Sequence, residues 1–197
     1  MDIRNWDQRY RLGEQPSADL DFQPTELVVE TARKAPPGRA LDLACGTGRN
    51  ALWLAAQGWS VTAVDGAPAA IEILRQRGVE QGLQVDARVA NLEKSEYRIE
   101  PSAWDLIAIC YYLQRDLFEP AKLGLKPGGL LLAIAHITEP GEEPTYKRLK
   151  PGELSSYFQG WEIVHLYEGK PNDSSHRRRV AEIVARRPSD SGVCLGW

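Results

Sequence analysis

The sequence is poor in three features that would each define a class of protein: paired cysteines, a basic excess and long apolar segments. Its cysteines, Cys45, Cys110 and Cys194, are odd in number, and none lies in a Cys-x-x-Cys motif, so we expect reduced thiols in a cytoplasmic compartment. The formal net charge of −3 disfavours a nucleic-acid binder, since phosphate binding needs a basic excess or face. The longest apolar run, LLLAIA at 130–135, is too short to span a bilayer, and residues 1–10 lack the apolar segment of a signal peptide. We therefore expect a soluble protein that binds neither nucleic acid nor membrane, with no metal site.

After residue 38 the chain alternates between short apolar segments and segments of helical periodicity. Strands are predicted at 39–44, 59–65, 84–91, 104–110 and 129–135. Helices are predicted at 24–35, 50–58, 68–78 with a stop at Gly78, and 115–125 with a break around Pro120. Elements that alternate in this way form a parallel sheet with helices on both faces, because right-handed crossovers permit little else.

The pattern changes after residue 136. A short helix is predicted near 153–158, and two strands at 161–168 and 178–186 are joined only by the polar segment GKPNDSSH, which indicates an antiparallel hairpin. The predicted fold class is therefore α/β: one doubly wound, Rossmann-like domain at 1–186, with a mostly parallel seven-stranded sheet that ends in the hairpin. Its expected parts are cap helices at 1–36, a cofactor-binding core at 37–136 and a loop with the hairpin at 137–186, followed by a tail at 187–197.

The segment LDLACGTGRNALWLA, residues 41–55, predicts a strand that enters a helix through a glycine turn. Gly46 and Gly48, with Ala51, match the G-x-G-x-x-G/A pattern of dinucleotide sites, but the turn equally suits S-adenosylmethionine. In both cases the glycines allow close approach of the ligand, and the helix N-terminus attracts an anion. A dehydrogenase would ordinarily continue with further parallel units and a second lobe, so the closing hairpin favours S-adenosylmethionine.

Three motifs, LDLACGTG, VTAVD and LKPGG, resemble in their order and spacing those of class I methyltransferases, over about residues 20–186. WDQRY at 6–10, CGTGRNALWLA and PGELSSYFQGWEIV at 151–164 narrow the similarity to the small tellurite-resistance and thiopurine-methyltransferase-like group. The resemblance implies methyl transfer from S-adenosylmethionine to a small, soft or anionic acceptor of the thiol, tellurite or selenite type. Two alternatives stay open: a protein that binds S-adenosylmethionine without turnover, and an NAD(P)-binding protein.

The resemblance also implies a set of cofactor contacts. Asp42 would receive the ammonium group, or else satisfy turn amides, and Asp65 would accept the ribose hydroxyls, or else cap the next helix. Asn91, where the group often has Asp, would meet the adenine edge together with the N–H of Leu92, or else cap a loop. Ala44 replaces a frequent glycine, which matters if the backbone there needs a positive φ. The full set is Trp6, Tyr10, Asp42, Ala44, Gly46, Gly48, Arg49, Asn50, Asp65, Gly66, Asn91, Leu92 and Cys110.

Three residues, Tyr111, His176 and Arg177, are predicted on the acceptor side. Tyr111 follows the fourth strand and would face the sulfonium by cation–π attraction, or else pack at the strand end. His176 and Arg177 precede the last strand in a basic segment that would suit an anionic acceptor, whereas a solvated charge run is the alternative. Methyl transfer is an in-line displacement that mainly needs alignment and exclusion of water, so a general base is optional.

Overall fold

The apolar segments of the sequence form a single seven-stranded sheet within residues 3–14, 23–143, 145–173 and 176–189, the part of the chain that the computed structural model describes. The sheet order is β3-β2-β1-β4-β5-β7-β6, and the first five of these strands are parallel whereas β7 is antiparallel to both its neighbours. The predicted fold class is confirmed. The strands are β1 (Arg39–Leu43), β2 (Ser60–Asp65), β3 (Asp86–Val89), β4 (Trp104–Cys110), β5 (Leu125–His136), β6 (Glu162–Gly169) and β7 (Val180–Arg186).

The helices cover both faces of this sheet, and two of them depart from the sequence prediction. They are α1 (Ile3–Arg11), α2 (Glu26–Arg33), α3 (Arg49–Ala56), α4 (Pro68–Gln81), α5 (Phe118–Gly124) and α6 (Glu153–Ser156). The stop at Gly78 is wrong, because α4 runs on to Gly82, which caps it in the left-handed region at φ 65°. The break at Pro120 is also wrong: Pro120 lies in the first turn of α5, where its missing N–H has no helical partner. Within the described ranges, no helix is long and apolar enough to cross a membrane.

The central strands of the sheet are buried on both faces, which explains why β5 is apolar at every position from 130 to 135. Leu131 and Ala133 pack into the cluster on one face, whereas Leu132 and Ile134 pack into the cluster on the other. Successive side chains of a strand point to opposite faces, so a strand covered on both sides reads as a continuous apolar run.

The chain reverses direction across the sheet between β1 and β4. From β1 it proceeds outward through β2 to the edge strand β3, and it then returns to β4 on the other side of β1. In open α/β sheets, ligands bind in the crevice at the carboxyl ends of the strands at such a switch point. The residues just beyond these two strand ends, Ala44 and Tyr111, both have left-handed backbones, at φ 55° and 58°. The topology therefore predicts a ligand site at the two turns that follow β1 and β4.

We expect Leu131→Ala to lower the free energy of unfolding by about 2–5 kcal/mol, because it leaves a cavity in the closed core. Leu131 is 0% exposed, whereas Leu123 on α5 is 63% exposed. Leu123→Ala is therefore the matched control, with an expected change within about 0.5 kcal/mol. Urea unfolding of both variants measures the difference, and equal losses would contradict the burial of β5.

Candidate functional site

The turn between β1 and α3 is built from three residues in the left-handed region: Ala44 (φ 55°), Gly46 (φ 55°) and Gly48 (φ 82°). Glycine adopts this region freely, but a residue with a Cβ does so at a cost of about 1–2 kcal/mol, so Ala44 is strained. The departure from glycine at position 44 therefore matters for the backbone. A Cβ at Gly48 would collide with the Leu74 side chain of α4, so this glycine is also needed for packing.

Asp65, at the carboxyl end of β2, connects this turn to the next one. Its Oδ2 accepts the N–H of Gly46 at 2.9 Å, and its Oδ1 accepts the N–H of Ala67, the N-cap of α4, at 2.8 Å. Burial raises the pKa of Asp65, and the backbone donors Ala67, Gly46 and Gly66 oppose this rise. The carboxylate thus contributes to the start of α4, as one reading of the sequence predicted. It has about four lone-pair sites, so capacity for a ligand remains.

Helix α1 covers the turn between β2 and α4. Asp7 Oδ1 accepts the N–H of Ala69, in the first turn of α4, at 2.7 Å. The Ile3 side chain fills the space above Gly66, where an added Cβ would lie 2.5 Å from its Cδ1. Trp6 and Tyr10 stack with ring centroids 6.0 Å apart, in the same apolar cluster as the start of α4. The structure therefore places both predicted aromatic residues beside the turn that follows Asp65. Asp7, in a polar stretch of the sequence, was missed.

Asn91 and Leu92 follow β3, the neighbour of β2. Leu92 is buried in the core, and its carbonyl accepts a hydrogen bond from Gln114 Nε2 at 3.1 Å. The backbone N–H of Asn91 donates to Glu96 at 2.9 Å. The Oδ1 atom of Asn91 is buried and has no hydrogen-bond partner among the described residues. A buried acceptor without a donor is costly, so this atom is suited to a donor from a ligand.

Three other residues of the predicted cofactor set lie close to the turn after β1. Asp42 lies within β1 and is 1% exposed. Asn50 Oδ1 accepts the N–H of Thr25 at 2.8 Å, so this side chain fixes the entry to α2. Burial raises the pKa of the Cys110 thiol, which is therefore protonated at neutral pH. Cys45 and Cys110 form no disulfide among the described residues, whereas Cys194 lies outside them, as does the tail from 190 onward.

Tyr111 and Arg49 bring the β6–β7 loop to the switch point. The Tyr111 ring stacks on His176, with centroids 3.5 Å apart and planes 7° from parallel. The Arg49 guanidinium lies 5.7 Å from the Tyr111 ring centre, and its Nη1 forms an ion pair with Asp173 Oδ2 at 2.8 Å. The Arg49 side chain is buried, at 8% exposure, and that of Asp173 is mostly buried, at 14%. Arg49 was predicted among the cofactor contacts, and in the structure it pairs with a carboxylate of the protein. Asp173, in a polar loop, gave no signal.

His136 completes a cluster of three rings. It ends β5, and its ring centroid lies 5.4 Å from that of His176 and 5.9 Å from that of Tyr111. Burial lowers the pKa of His136, and it lowers that of His176 to about 4 although Asp173 opposes the change, so both imidazoles are neutral at pH 7. His136 was not among the predicted site residues. The available signal was its position directly after LLLAIA, at the carboxyl end of a parallel strand.

The basic segment that follows His176 does not converge on these rings. Arg177 is exposed. Arg178 pairs instead with Glu142 at 2.7 Å, and Glu142 also pairs with Arg148 at 2.5 Å. The segment thus links the β6–β7 loop to the loop that follows β5, and the acceptor role predicted for Arg177 stays a prediction.

Solved structures with this architecture define the class. The crystal structure of TehB from Haemophilus influenzae matches with a TM-score of 0.70 and 25% identity, over 81% of this chain and 61% of that chain. A structure entitled "Conversion of a Disulfide Bond into a Thioacetal Group during Echinomycin Biosynthesis" matches with a TM-score of 0.69 and 22% identity, over 96% of this chain and 94% of that chain, and supports the fold alone. The fold is that of the class I S-adenosylmethionine-dependent methyltransferases, as the motifs predicted.

Sequence comparison then defines the family. The family model described as "Tellurite resistance protein TehB" matches residues 20–177, and the chain belongs to this family. The curated relatives include the "Probable S-adenosyl-L-methionine-dependent methyltransferase TehB" of Haemophilus influenzae, 25% identical over 81% of this chain and 61% of the relative. A "Ubiquinone biosynthesis O-methyltransferase" of Xylella fastidiosa is 37% identical over 52% of this chain. This chain spans 38% of the length of the Xylella protein.

We expect Asp173→Asn to lower the free energy of unfolding by about 3 kcal/mol, because it removes a carboxylate that forms an ion pair with the buried Arg49 guanidinium. The matched control is Glu100→Gln, which breaks an ion pair with Arg39 whose side chains are 62% and 44% exposed. An exposed pair contributes about 0–1 kcal/mol. Urea unfolding at low and high salt compares the two variants. Similar small losses would contradict a structural role for the Arg49–Asp173 pair.

Proposed function

We propose that the protein binds S-adenosylmethionine and transfers its methyl group to a small, soft or anionic acceptor, a thiol or an oxyanion of tellurium or selenium. The observation that carries the proposal is that two hydrogen-bond acceptors lie together at the carboxyl edge of the sheet. They are the Asp65 carboxylate at the end of β2 and the Asn91 Oδ1 atom after β3, which has no partner among the described residues. Membership of the TehB family supports both the cofactor and a soft acceptor.

The residues of the site fit this cofactor from one end to the other. Asn91 Oδ1 would accept from the adenine amino group, and Asp65 would accept from the ribose hydroxyls. The N-terminus of α3, reached through Gly46 and Gly48, would hold the carboxylate, while Asp42 would receive the ammonium group. When bound, S-adenosylmethionine supplies an electrophilic methyl group and a neutral thioether leaving group. The chain itself provides orientation, which is the main requirement of an in-line displacement.

The acceptor side begins at Tyr111. Its ring lies directly beyond β4, where it would face a sulfonium through its π electrons. Helix α1, with Trp6 and Tyr10, would close over the cofactor and exclude water from the reaction. We propose a reducing, cytoplasmic location together with the small-molecule acceptor, which agrees with the thiols of Cys45 and Cys110 forming no disulfide among the described residues.

Calorimetric titration of the purified protein with S-adenosylmethionine, S-adenosylhomocysteine, NAD and NADP tests the cofactor. Binding of the two adenosyl compounds is expected, and tight binding of NAD without S-adenosylhomocysteine would overturn the proposal. Methyl transfer to a panel of thiols, tellurite and selenite then tests catalysis. Bound cofactor with no product from any acceptor would favour a binding protein without turnover.

We expect Asp65→Ala to weaken S-adenosylhomocysteine binding about 10- to 100-fold, because hydrogen bonds to a charged acceptor contribute about 1.5–3 kcal/mol. Asp86→Ala is the control, since Asp86 is the first residue of β3 and therefore lies at the amino ends of the parallel strands, opposite the carboxyl ends where Asp65 lies. Calorimetry measures affinity, and thermal unfolding measures stability in parallel. Unchanged affinity beside a large fall in melting temperature would assign Asp65 to the start of α4 alone.

A further inference from the structure

His136 is the histidine of the ring cluster that stands on a strand, whereas His176 lies on a loop. In register, β5 extends two residues beyond Ile134, the partner of Cys110 at the end of β4, so His136 lies past the end of β4 near Tyr111 while it still pairs with Val180 of β7. A group on a regular element is held more firmly than one on a loop. His136 is therefore the better placed of the two imidazoles for a proton transfer that needs fixed geometry.

The two nitrogens of the His136 ring have different surroundings. Nδ1 is buried, without a hydrogen-bond partner among the described residues. The backbone of Arg178 and Arg179 lies close to the ring and raises its pKa slightly against the larger effect of burial. Because Nδ1 is buried, Nε2 is the other nitrogen through which this ring can exchange a proton. In a neutral imidazole one nitrogen carries the proton and the other a lone pair.

The arginines whose charges act on the two imidazoles form ion pairs, and one carboxylate serves two of them. The arginines whose charges act on the two imidazoles are Arg49 on His176, and Arg148 and Arg178 on His136. Arg49 pairs with Asp173, and the other two pair with Glu142. The other groups that face His136 are the neutral Tyr111 ring and the neutral His176. The rings around His136 are thus uncharged, while the two arginines that share Glu142 leave one positive charge uncompensated beside them. A neutral imidazole can accept a proton, and among the soft acceptors of the proposed function the thiol is the one whose reacting atom carries a proton.

We propose that the acceptor is a thiol that reaches the site in its protonated form, and that His136 takes its proton during methyl transfer. A lone pair of the thiol sulfur forms the new S–C bond to the methyl carbon as the old C–S bond breaks, and that bonding pair stays on the sulfur of S-adenosylhomocysteine. The S–H proton passes to Nε2 of His136 and then to water. The inference rests on the proposed function and narrows its acceptor to one member of the soft class.

The experiment compares two thiols at pH 7 with His136→Asn, a second variant His136→Gln, and the control His165→Asn on β6. An alkyl thiol, with a pKa of about 8.5, is mostly protonated at this pH, whereas a nitro-substituted aromatic thiol is ionised. General-base catalysis contributes about 10²–10⁴-fold. We expect both His136 variants to lose at least 100-fold in kcat/KM for the alkyl thiol and less than 10-fold for the ionised one. His165→Asn should change neither, since His165 contacts Glu182.

The pH profile provides an independent readout. For the wild type, kcat/KM for the alkyl thiol should rise with pH through the pKa of His136, which burial holds below its ordinary value near 6.5. For the His136 variants, it should rise only as the thiol itself ionises, near pH 8.5. If His136 had only a structural role, its variants would have a lower kcat/KM at every pH, and the pH dependence would keep the shape it has in the wild type.

Four results separate the outcomes. Equal losses for the two thiols, or profiles of the same shape, would overturn the role of His136. Methylation of selenite or tellurite with no activity on either thiol would overturn the thiol, while the proposed function would stand. Failure to bind S-adenosylhomocysteine would overturn the proposed function itself. Calorimetry with S-adenosylhomocysteine should give the same affinity for the variants as for the wild type, which confirms that they are folded.

Discussion

The carboxylate of Asp65 is the constraint on which the rest of the site depends. It holds the N–H of Gly46 and that of Ala67 at once, and it therefore fixes the turn after β1 relative to the turn after β2. With these turns fixed, α3 and α4 begin at defined places, and α1 docks on the first turn of α4 through Asp7. Burial makes the charge of Asp65 costly, and backbone donors compensate for part of that cost. The same features prepare a carboxylate for a ligand with two hydroxyl groups.

A second tie, between Arg49 and Asp173, joins the two halves of the proposed site. Arg49 begins the helix that would hold the cofactor, and Asp173 lies in the loop that would face the acceptor. Tyr111 lies beside both this helix and this loop, since its ring is near the Arg49 guanidinium and stacks on His176 of the loop. The left-handed backbone at Tyr111 costs about 1–2 kcal/mol, which the rest of the fold sustains. The cofactor side and the acceptor side of the proposed site are therefore joined by one ion pair and one pair of stacked rings.

The character of the acceptor side follows from burial and pairing. A charged imidazole is poorly solvated between aromatic rings, so His136 and His176 are neutral. Of the nearby arginines, Arg49 pairs with Asp173, whereas Arg148 and Arg178 share Glu142. The charges of the basic segment therefore do not act as one group, since Arg178 is held by Glu142 and Arg177 is exposed.

The order of strands and helices could be predicted from the sequence, because it depends on local periodicity and on the handedness of crossovers. The glycine turn and Asp65 could also be predicted, since a tight turn at a strand end admits few residue types. Errors such as Gly78 arose because the same residue is tolerated within a helix as well as after it. The partners of Arg49, the ring cluster around His136 and the neutral state of its imidazoles were decided by tertiary structure alone. They join residues up to 124 positions apart, and the pKa of a buried group depends on neighbours that a sequence does not reveal.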